Sequence, residues 1–299
     1  MKKTLILCGA VLASLLATAP GAQAWSAFGH ETIALIAWNQ MNASQQVAIS
    51  KIMAANVPIF GSGPGTAPLL AGAIWPDEVR FEADHSTPNE PLAIFGALGI
   101  TMSHQSNNLH FVDYKGAYPV LPHGQSAIVA ITTAQAVLQN PASTMREQGE
   151  ALTYLIHCVG DIHQPLHAGN KSDDGGNSIE IKGIGPTTSK AKTELHAVWD
   201  EGLFATTGVT DPAQYITAYL DGPITQAKAT ALSEMNPADW ATNSHHLALT
   251  VAYVDEHDHT IMSGDHLSPA YVKEALVVAN NQLAIAGIRL AALLNEDFK

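Results

Sequence analysis

The stretch His157-Cys-Val-Gly-Asp161-Ile-His-Gln-Pro-Leu-His167 decides how this chain is read. Ahead of it stand Ala151-Leu152-Thr153-Tyr154-Leu155-Ile156, an apolar run that predicts the inner turns of a helix. His157 and Asp161 are four residues apart, so on that helix they lie one above the other on the same face. Pro165 ends or kinks the helix, because it has no N–H to give and its ring clashes with the preceding turn. His167 falls just past that break. Three histidines and a carboxylate within eleven residues fit metal ligation. They also fit a polar helix end with partly exposed histidines, and this stretch alone leaves both readings open.

Further along, His196 and Asp200 repeat the His-to-Asp spacing of His157 and Asp161. Two such helical pairs are harder to explain as surface decoration than one. Asp77 and His110, each near an aromatic residue (Trp75, Phe111), are further candidates, and His30 lies near the start. Five histidines and three aspartates exceed what one zinc takes, so more than one metal is implied. Hard cations favour oxygen over imidazole, which makes zinc the better fit than magnesium or calcium.

The first 24 residues read as a cleaved signal peptide. Lys2 and Lys3 supply the charge, Leu5 to Leu16 the apolar stretch, and Ala22-Gln23-Ala24 the cleavage site. The mature chain then starts at Trp25, and the expected location is periplasmic or secreted. Cys8 sits too early in the apolar run for lipid attachment, and no later window reads as membrane-spanning. Loss of the two lysines moves the formal charge from −13 to −15. Cys158 is then the one cysteine left, so an internal disulfide is excluded and the residue reads as a small buried hydrophobe. An acidic surface argues against reading duplex nucleic acid through clustered Lys and Arg. It does not exclude phosphate chemistry where a metal carries the positive charge.

With 46% hydrophobic residues over 299, the chain can build a substantial core. The pattern is mainly α and one domain, 25–299. Helices are expected over Thr32–Met41, after Ser44, over Ala71–Arg80 and 124–139, and from Ser143-Thr144 to His157. Others begin at Leu195 and run near 212–220, 224–235 and 239–254. A last one has Ser268 as N-cap and Pro269 at its first position, and runs to about Leu294. Gly61–Pro68 and Glu82–Pro91 read as loops, Leu92–Ile100 shows no clear period, and Lys171–Gly176 is a turn. Residues 177–182 alternate like the strand of a short β-hairpin.

Taken together and in order, six motifs carry a resemblance. They are Trp25-x4-His30, Trp75-Pro-Asp77-x2-Arg80, Leu109-His110-Phe111-Val-Asp113, the His157–His167 stretch, Gly175-Gly176-Asn177 and Leu195-His196-x2-Trp199-Asp200. The mature chain resembles the zinc-dependent single-strand-specific nucleases of the S-one/P-one family, which share a helical fold with bacterial zinc phospholipases C. The resemblance implies three zincs per chain. Asp77, His110, His157 and Asp161 would hold one. Asp161 would bridge to a second, completed by His30 and by the α-amine and carbonyl of Trp25; His167, His196 and Asp200 would hold the third. An α-amine, with a pKa of about 8, is easily neutralised for ligation. Three dications against three carboxylates would leave the pocket positive in an acidic protein.

The same resemblance implies hydrolysis of single-stranded DNA and RNA to 5′-phosphorylated products, with 3′-nucleotidase activity. A metal-activated water would attack phosphorus, with Asp77, Asp161 and Arg80 in the catalytic machinery. Phe111 would stack on an unpaired base, Asp113 would hydrogen-bond its edge and Arg80 would meet the phosphate. In isolation Phe111 also reads as a core aromatic, Asp113 as a cap and Arg80 as an ordinary ion-pair partner. The family's ligand pattern skips His163. His245, His246, His257, His259 and His266 read as surface or capping residues. Three features depart from the family: the lack of disulfides, which places the chain with the bacterial branch; Glu194, where Asn is common; and Asp173-Asp174, expected to crowd the pocket side of the His167 loop. A phospholipase C on the same scaffold and a non-enzymatic periplasmic zinc-binding protein are the rival readings. No membrane or protein partner is implied, and the chain is expected to be a monomer.

Overall fold

A computed structural model describes residues 25–85, 93–98, 103–121, 124–184 and 193–298. The described chain is mainly α, as the sequence predicts. In order come α1 (Ala27–Gln40), α2 (Ala43–Ala55), α3 (Val57–Phe60), α4 (Ala67–His85), α5 (Ala93–Ala97) and a 3-10 segment Ser103–His110. The hairpin β1 (Asp113–Lys115) and β2 (Tyr118–Val120) leads into α6 (Ala127–Gln139) and α7 (Met145–Asp161). After two 3-10 turns, Pro165–Ala168 and Lys171–Asp173, β3 (Glu180–Ile181) pairs with β4 (Thr193–Glu194). Then follow α8 (Leu195–Ala197), α9 (Leu203–Ala205), α10 (Pro212–Tyr215), α11 (Asp221–Ser233), α12 (Pro237–Leu247) and α13 (Pro269–Asp297).

Helix α7 is the axis of the fold. Thr144 caps it, accepting from the Glu147 N–H while the Glu147 carboxylate takes the Thr144 N–H. This reciprocal bonding satisfies donors the first turn would leave unpaired. From Gly149 to Asp161 every residue is buried. A helix buried all round belongs at the centre of a domain. Its polar side chains fall in one stripe, Glu150, Tyr154, His157 and Asp161, at the three- and four-residue spacings of a single face.

The N-terminal α1 is held between α7 and the long α13. Gly287 makes this crossing close: a Cβ there would lie 2.5 Å from Ile36 Cγ2. Ser268 caps α13 by accepting from the Tyr271 N–H, and Pro269 follows at its start, as predicted. The expectation that no later window is apolar enough for a membrane span needs correction. An 18-residue window of α13 has mean hydropathy 1.5, yet 67% of it is buried inside the fold, so it is a core helix. One charge in it, Arg289, is buried with three partners: the Ala231 carbonyl, His163 Nε2 and Glu234. Its guanidinium also lies 4.9 Å over the Trp240 ring.

Several boundaries differ from the sequence reading. Helix α4 continues to His85, so 82–85 are helix where the sequence predicts a loop over 82–91; 86–91 lie outside the described residues. The run at 92–100 contains the one-turn α5, and residues 103–108 are helical 3-10 backbone. The expected strand at 177–182 shrinks to Glu180–Ile181. The hairpin β1–β2 was missed, because three-residue strands are too short for alternation to register.

Candidate metal centre

Seven segments, α7 among them, bring polar side chains to one end of α7. His157 and Asp161 come from its last turns, and His30 from α1. Asp77 comes from α4, one residue after Pro76, and His110 from the end of the 3-10 segment before β1. The Pro165–Ala168 turn supplies His167. His196 stands in α8, and Asp200 in the π-helical turn Val198–Gly202 that follows. All are buried. Three sets have ligand atoms that lie within 4.8 Å of one another: His30/His157/Asp161, Asp77/His110/His157 and His167/His196/Asp200.

Four atoms define the innermost set: Asp77 Oδ1, His110 Nδ1, His157 Nε2 and Asp161 Oδ2. His110 Nδ1 is 3.0 Å from His157 Nε2, 3.1 Å from Asp161 Oδ2 and 3.6 Å from Asp77 Oδ1. His157 Nε2 is 3.5 Å from Asp77 Oδ1 and 3.3 Å from Asp161 Oδ2. Ligand atoms at 2.0–2.1 Å from a tetrahedral zinc are separated by about 3.3–3.4 Å. These edges fit that figure. The other oxygen of the same carboxylate, Asp161 Oδ1, faces His30 Nε2 at 3.3 Å, so Asp161 joins two sets.

The remaining ring nitrogens fix the tautomers. Nδ1 of His157, His167 and His196 lies 2.8, 2.6 and 2.7 Å from the carbonyls of Ala73, His110 and Gly175. Each ring donates there and keeps a lone pair on Nε2, the arrangement that ligating imidazoles require. Pro76, which gives no N–H to the turn before it, sits in the same stretch of α4 as the Ala73 carbonyl. Gln164 Nε2 donates to Asp200 Oδ1 at 2.7 Å and orients that carboxylate.

Both nitrogens of His30, Nε2 of His110 and of His167, and Oδ1 of Asp77 and of Asp161 are buried without hydrogen-bond geometry to any partner. Each such atom costs about 1–3 kcal/mol. Four of them, His30 Nε2, His167 Nε2, Asp77 Oδ1 and Asp161 Oδ1, belong to the ligand sets, where bound cations would satisfy them.

The electrostatics agree. Burial, reinforced by neighbouring imidazoles, pushes His30, His110 and His167 well below the ordinary histidine value. Burial also brings His196 down to about 4. His157 differs: burial lowers it, but the carboxylates of Asp161 and Asp77 outweigh that and carry it up to about 9. Burial raises Asp161 and Asp200 well above the carboxylate range. Imidazoles held mostly neutral beside carboxylates reluctant to ionise suit divalent cations, whose charge would reverse the preference of the carboxylates.

Trp25 is fully buried, donates its indole N–H to the Gly160 carbonyl at 3.0 Å and packs 5.4 Å from the Phe204 ring. The next residue, Ser26, donates its N–H to the Asp200 carbonyl at 3.1 Å. Arg80 is half-buried, and its charge lowers His110, His167 and His196. Phe111 is half-buried rather than a core residue, while Asp113 is buried at the start of β1.

The sequence reading overlooked what joins these two. Lys171 Nζ is 2.5 Å from Asp113 Oδ2 and 5.9 Å from the centre of the Phe111 ring. A surface-looking turn lysine gives no signal of this in sequence.

Other residues also stand differently from expectation. Asp173 is turned into its own loop, where Oδ1 accepts from the Gly176 N–H and the Tyr253 hydroxyl. Asp174 is exposed in a left-handed turn at φ 55°, and Glu194 is exposed on β4. Cys158 is buried, as expected. His163 is buried against Arg289 away from the ligand sets, with burial and the guanidinium holding it down to about 3. His245 is buried, not superficial. Its two nitrogens face the Ala168 and Gly116 carbonyls at 2.6 and 3.0 Å, and its ring stacks on Tyr114. His246, His257, His259 and His266 are exposed.

Comparison with known proteins follows the same lines. Endonuclease 2 of Arabidopsis thaliana is 29% identical over 302 residues, spanning 95% of this chain and 94% of that protein. Nuclease P1 of Penicillium citrinum is 24% identical over 297 residues, 91% of this chain and 97% of its own. Nuclease S1 of Aspergillus oryzae is 29% identical over 195 residues, 64% of this chain and 59% of its own. The pattern describing the S1/P1 Nuclease family matches residues 25–299, the whole span over which these ligand sets are assembled. The chain therefore belongs to the S1/P1 nuclease family.

Proposed function

We propose that this protein is an exported, trizinc, single-strand-specific endonuclease that leaves 5′-phosphates and also acts as a 3′-nucleotidase. The observation that carries the reading is the near-tetrahedral set Asp77, His110, His157 and Asp161, with Asp161 shared toward His30 and a further set at His167, His196 and Asp200. Zinc suits these donors because imidazole nitrogen outnumbers carboxylate oxygen. When bound, the metals supply Lewis acidity and lower the pKa of a water that attacks phosphorus.

The chain's own residues do the rest. Asp161 holds two sites at a fixed separation, and the carbonyls of Ala73, His110 and Gly175 hold three imidazoles in the ligating tautomer. Arg80 brings the one cationic side chain whose charge reaches all three of His110, His167 and His196, and it stabilises charge on the phosphate oxygens. The half-buried Phe111 ring offers an unpaired base a stacking face, and Asp113 accepts from its edge. A base held in a duplex cannot present that face, which accounts for single-strand preference without a basic groove.

Export and maturation at Trp25 belong to the same reading. The family match begins at the same residue, Trp25. His30 and the shared Asp161 would give a second metal only two side chains, and the Trp25 amine and carbonyl would complete it. The catalysed reaction is tested on single-stranded DNA, RNA, 3′-AMP and phosphatidylcholine, with and without chelator, alongside elemental analysis. Hydrolysis of the three nucleotide substrates, lost with chelator and restored by zinc at three metals per chain, is expected. Activity intact with one metal or fewer, or turnover of phosphatidylcholine instead, refutes the reading.

A further inference from the structure

We infer that Lys171 is a specificity-determining residue that makes the base pocket select guanine, an inference that rests on Phe111 and Asp113 receiving a base. Lys171 is held in place from several sides. Tyr114 in β1 donates its N–H to the Gly169 carbonyl at 3.0 Å, and Asn170 pairs with Tyr114 as a short parallel bridge. The Asn170 N–H donates to the Tyr253 hydroxyl at 3.0 Å, and that hydroxyl donates to Asp173 at 2.7 Å. The backbone ahead of Lys171 is thus tied to β1 and to Tyr253, and the Asp173 side chain after it to Tyr253. The Lys171 ammonium meets Asp113 and lies over the Phe111 ring, 5.9 Å from its centre.

The pair is asymmetric. The Asp113 side chain is 8% exposed, whereas that of Lys171 is 50% exposed. The acceptor is fixed in the wall, and the donor stands at the mouth. Ordinary surface ion pairs contribute about 0–1 kcal/mol, so stability alone gives little reason to tie the segment to β1 so closely. Its position matters more: a base stacking on Phe111 meets a carboxylate and an ammonium side by side along one edge.

The base edges differ in what they offer that pair. Guanine presents two adjacent donors, N1–H and N2–H, which a carboxylate accepts together, and an O6 acceptor next to them for the ammonium. Adenine and cytosine each present one amino donor beside a ring-nitrogen acceptor. Uracil and thymine present one N–H between two carbonyls. Each of these satisfies Asp113 once and Lys171 once, and leaves the second carboxylate oxygen with Lys171 as its one donor. A site built to hydrogen-bond a group discriminates against analogues that lack it.

The test uses the zinc-loaded enzyme and dinucleotides carrying guanine, 6-thioguanine, adenine, cytosine or uracil, placed on the 5′ or the 3′ side of the phosphate in turn. 6-Thioguanine keeps both donors and replaces only O6 with a poor acceptor. The wild-type kcat/KM is expected to favour guanine about tenfold over the other natural bases and over 6-thioguanine, the scale of one charge-assisted hydrogen bond. Lys171→Met should bring the guanine to 6-thioguanine ratio near one at unchanged zinc content, while Lys171→Arg, which keeps the donors, retains it. A wild-type enzyme without base preference, or a ratio that persists in Lys171→Met, overturns the inference. Phe111→Ala separates the two levels: if it lowers kcat/KM on every base while Lys171→Met leaves the ratio intact, only the role of Lys171 fails. If Phe111→Ala changes nothing, the base pocket itself fails and takes the inference with it.

Discussion

Replacing Gly160 with alanine tests the centre without touching a ligand. A Cβ on Gly160 would stand 2.8 Å from His30 Nδ1, 3.0 Å from His30 Cε1 and 3.3 Å from Ile33 Cδ1. Ordinary contact begins at about 3.5 Å, so the His30 ring must retreat by roughly 0.7 Å. In an unobstructed helix interior, Gly→Ala gains about 1 kcal/mol. Here overpacking costs about 1–3 kcal/mol, so the apo protein is expected to be no more stable, and at most about 2 kcal/mol less. The metal should suffer more, because productive ligand distances hold within about 0.2 Å. Disturbed ligand orientation typically lowers affinity by about 10- to 100-fold, so the weakest-held metal should dissociate first. Competition with a chromophoric chelator reads that affinity, and urea unfolding of the chelated protein reads the packing. Gly222→Ala is the control, since Gly222 lies in α11 with nothing within 4 Å of its would-be Cβ. Wild-type metal affinity together with higher urea resistance in Gly160→Ala would refute the reasoning.

Two further outcomes are expected. Buried His163 is held down to about 3 against an unfolded value of about 6.5, so its contribution to stability is complete above 6.5 and is lost as pH falls toward 3. In urea titrations of chelated protein at pH 7, 6 and 5, His163→Gln should flatten the slope by up to about 1.4 kcal/mol per pH unit, and parallel curves would count against the assignment. An extra glycine ahead of Trp25 converts the terminal amine to an amide. The extended protein should fold, carry about one zinc fewer than the processed form and lose most activity; equal zinc and equal activity would end the terminal-ligand model.

The sequence made the metal centre legible because its residues recur at helical spacing. The pairs His157/Asp161 and His196/Asp200 needed only the period of a helix to be placed, and Thr144, Ser268 and Pro269 announced helix starts by their chemistry. What stayed hidden depends on distant partners. Lys171 is one charged residue in a polar turn until Asp113, fifty-eight positions earlier, is brought beside it. His245 looked superficial because the two carbonyls it faces belong to Gly116 and Ala168. Arg289 is the one charge in the apolar stretch Leu283–Leu294 of α13, and its neighbour, His163, is drawn from the ligand motif itself. Gly160 gives no signal in the sequence either, since only the approach of His30 and Ile33 gives its missing side chain a meaning.

The crossing of α1 and α13 bears on when the protein can be loaded. Every side chain assigned to the metals lies between His30 and Asp200, so a nascent chain exposes all of them well before its last helix emerges. Yet His30 rides on α1, and α1 is pressed into place by α13, where Gly287 lets Ile36 come close. A polypeptide cut short ahead of Pro269 carries the full set of donors on a helix with no back wall. The last helix to be synthesised is therefore the one that completes the packing behind His30.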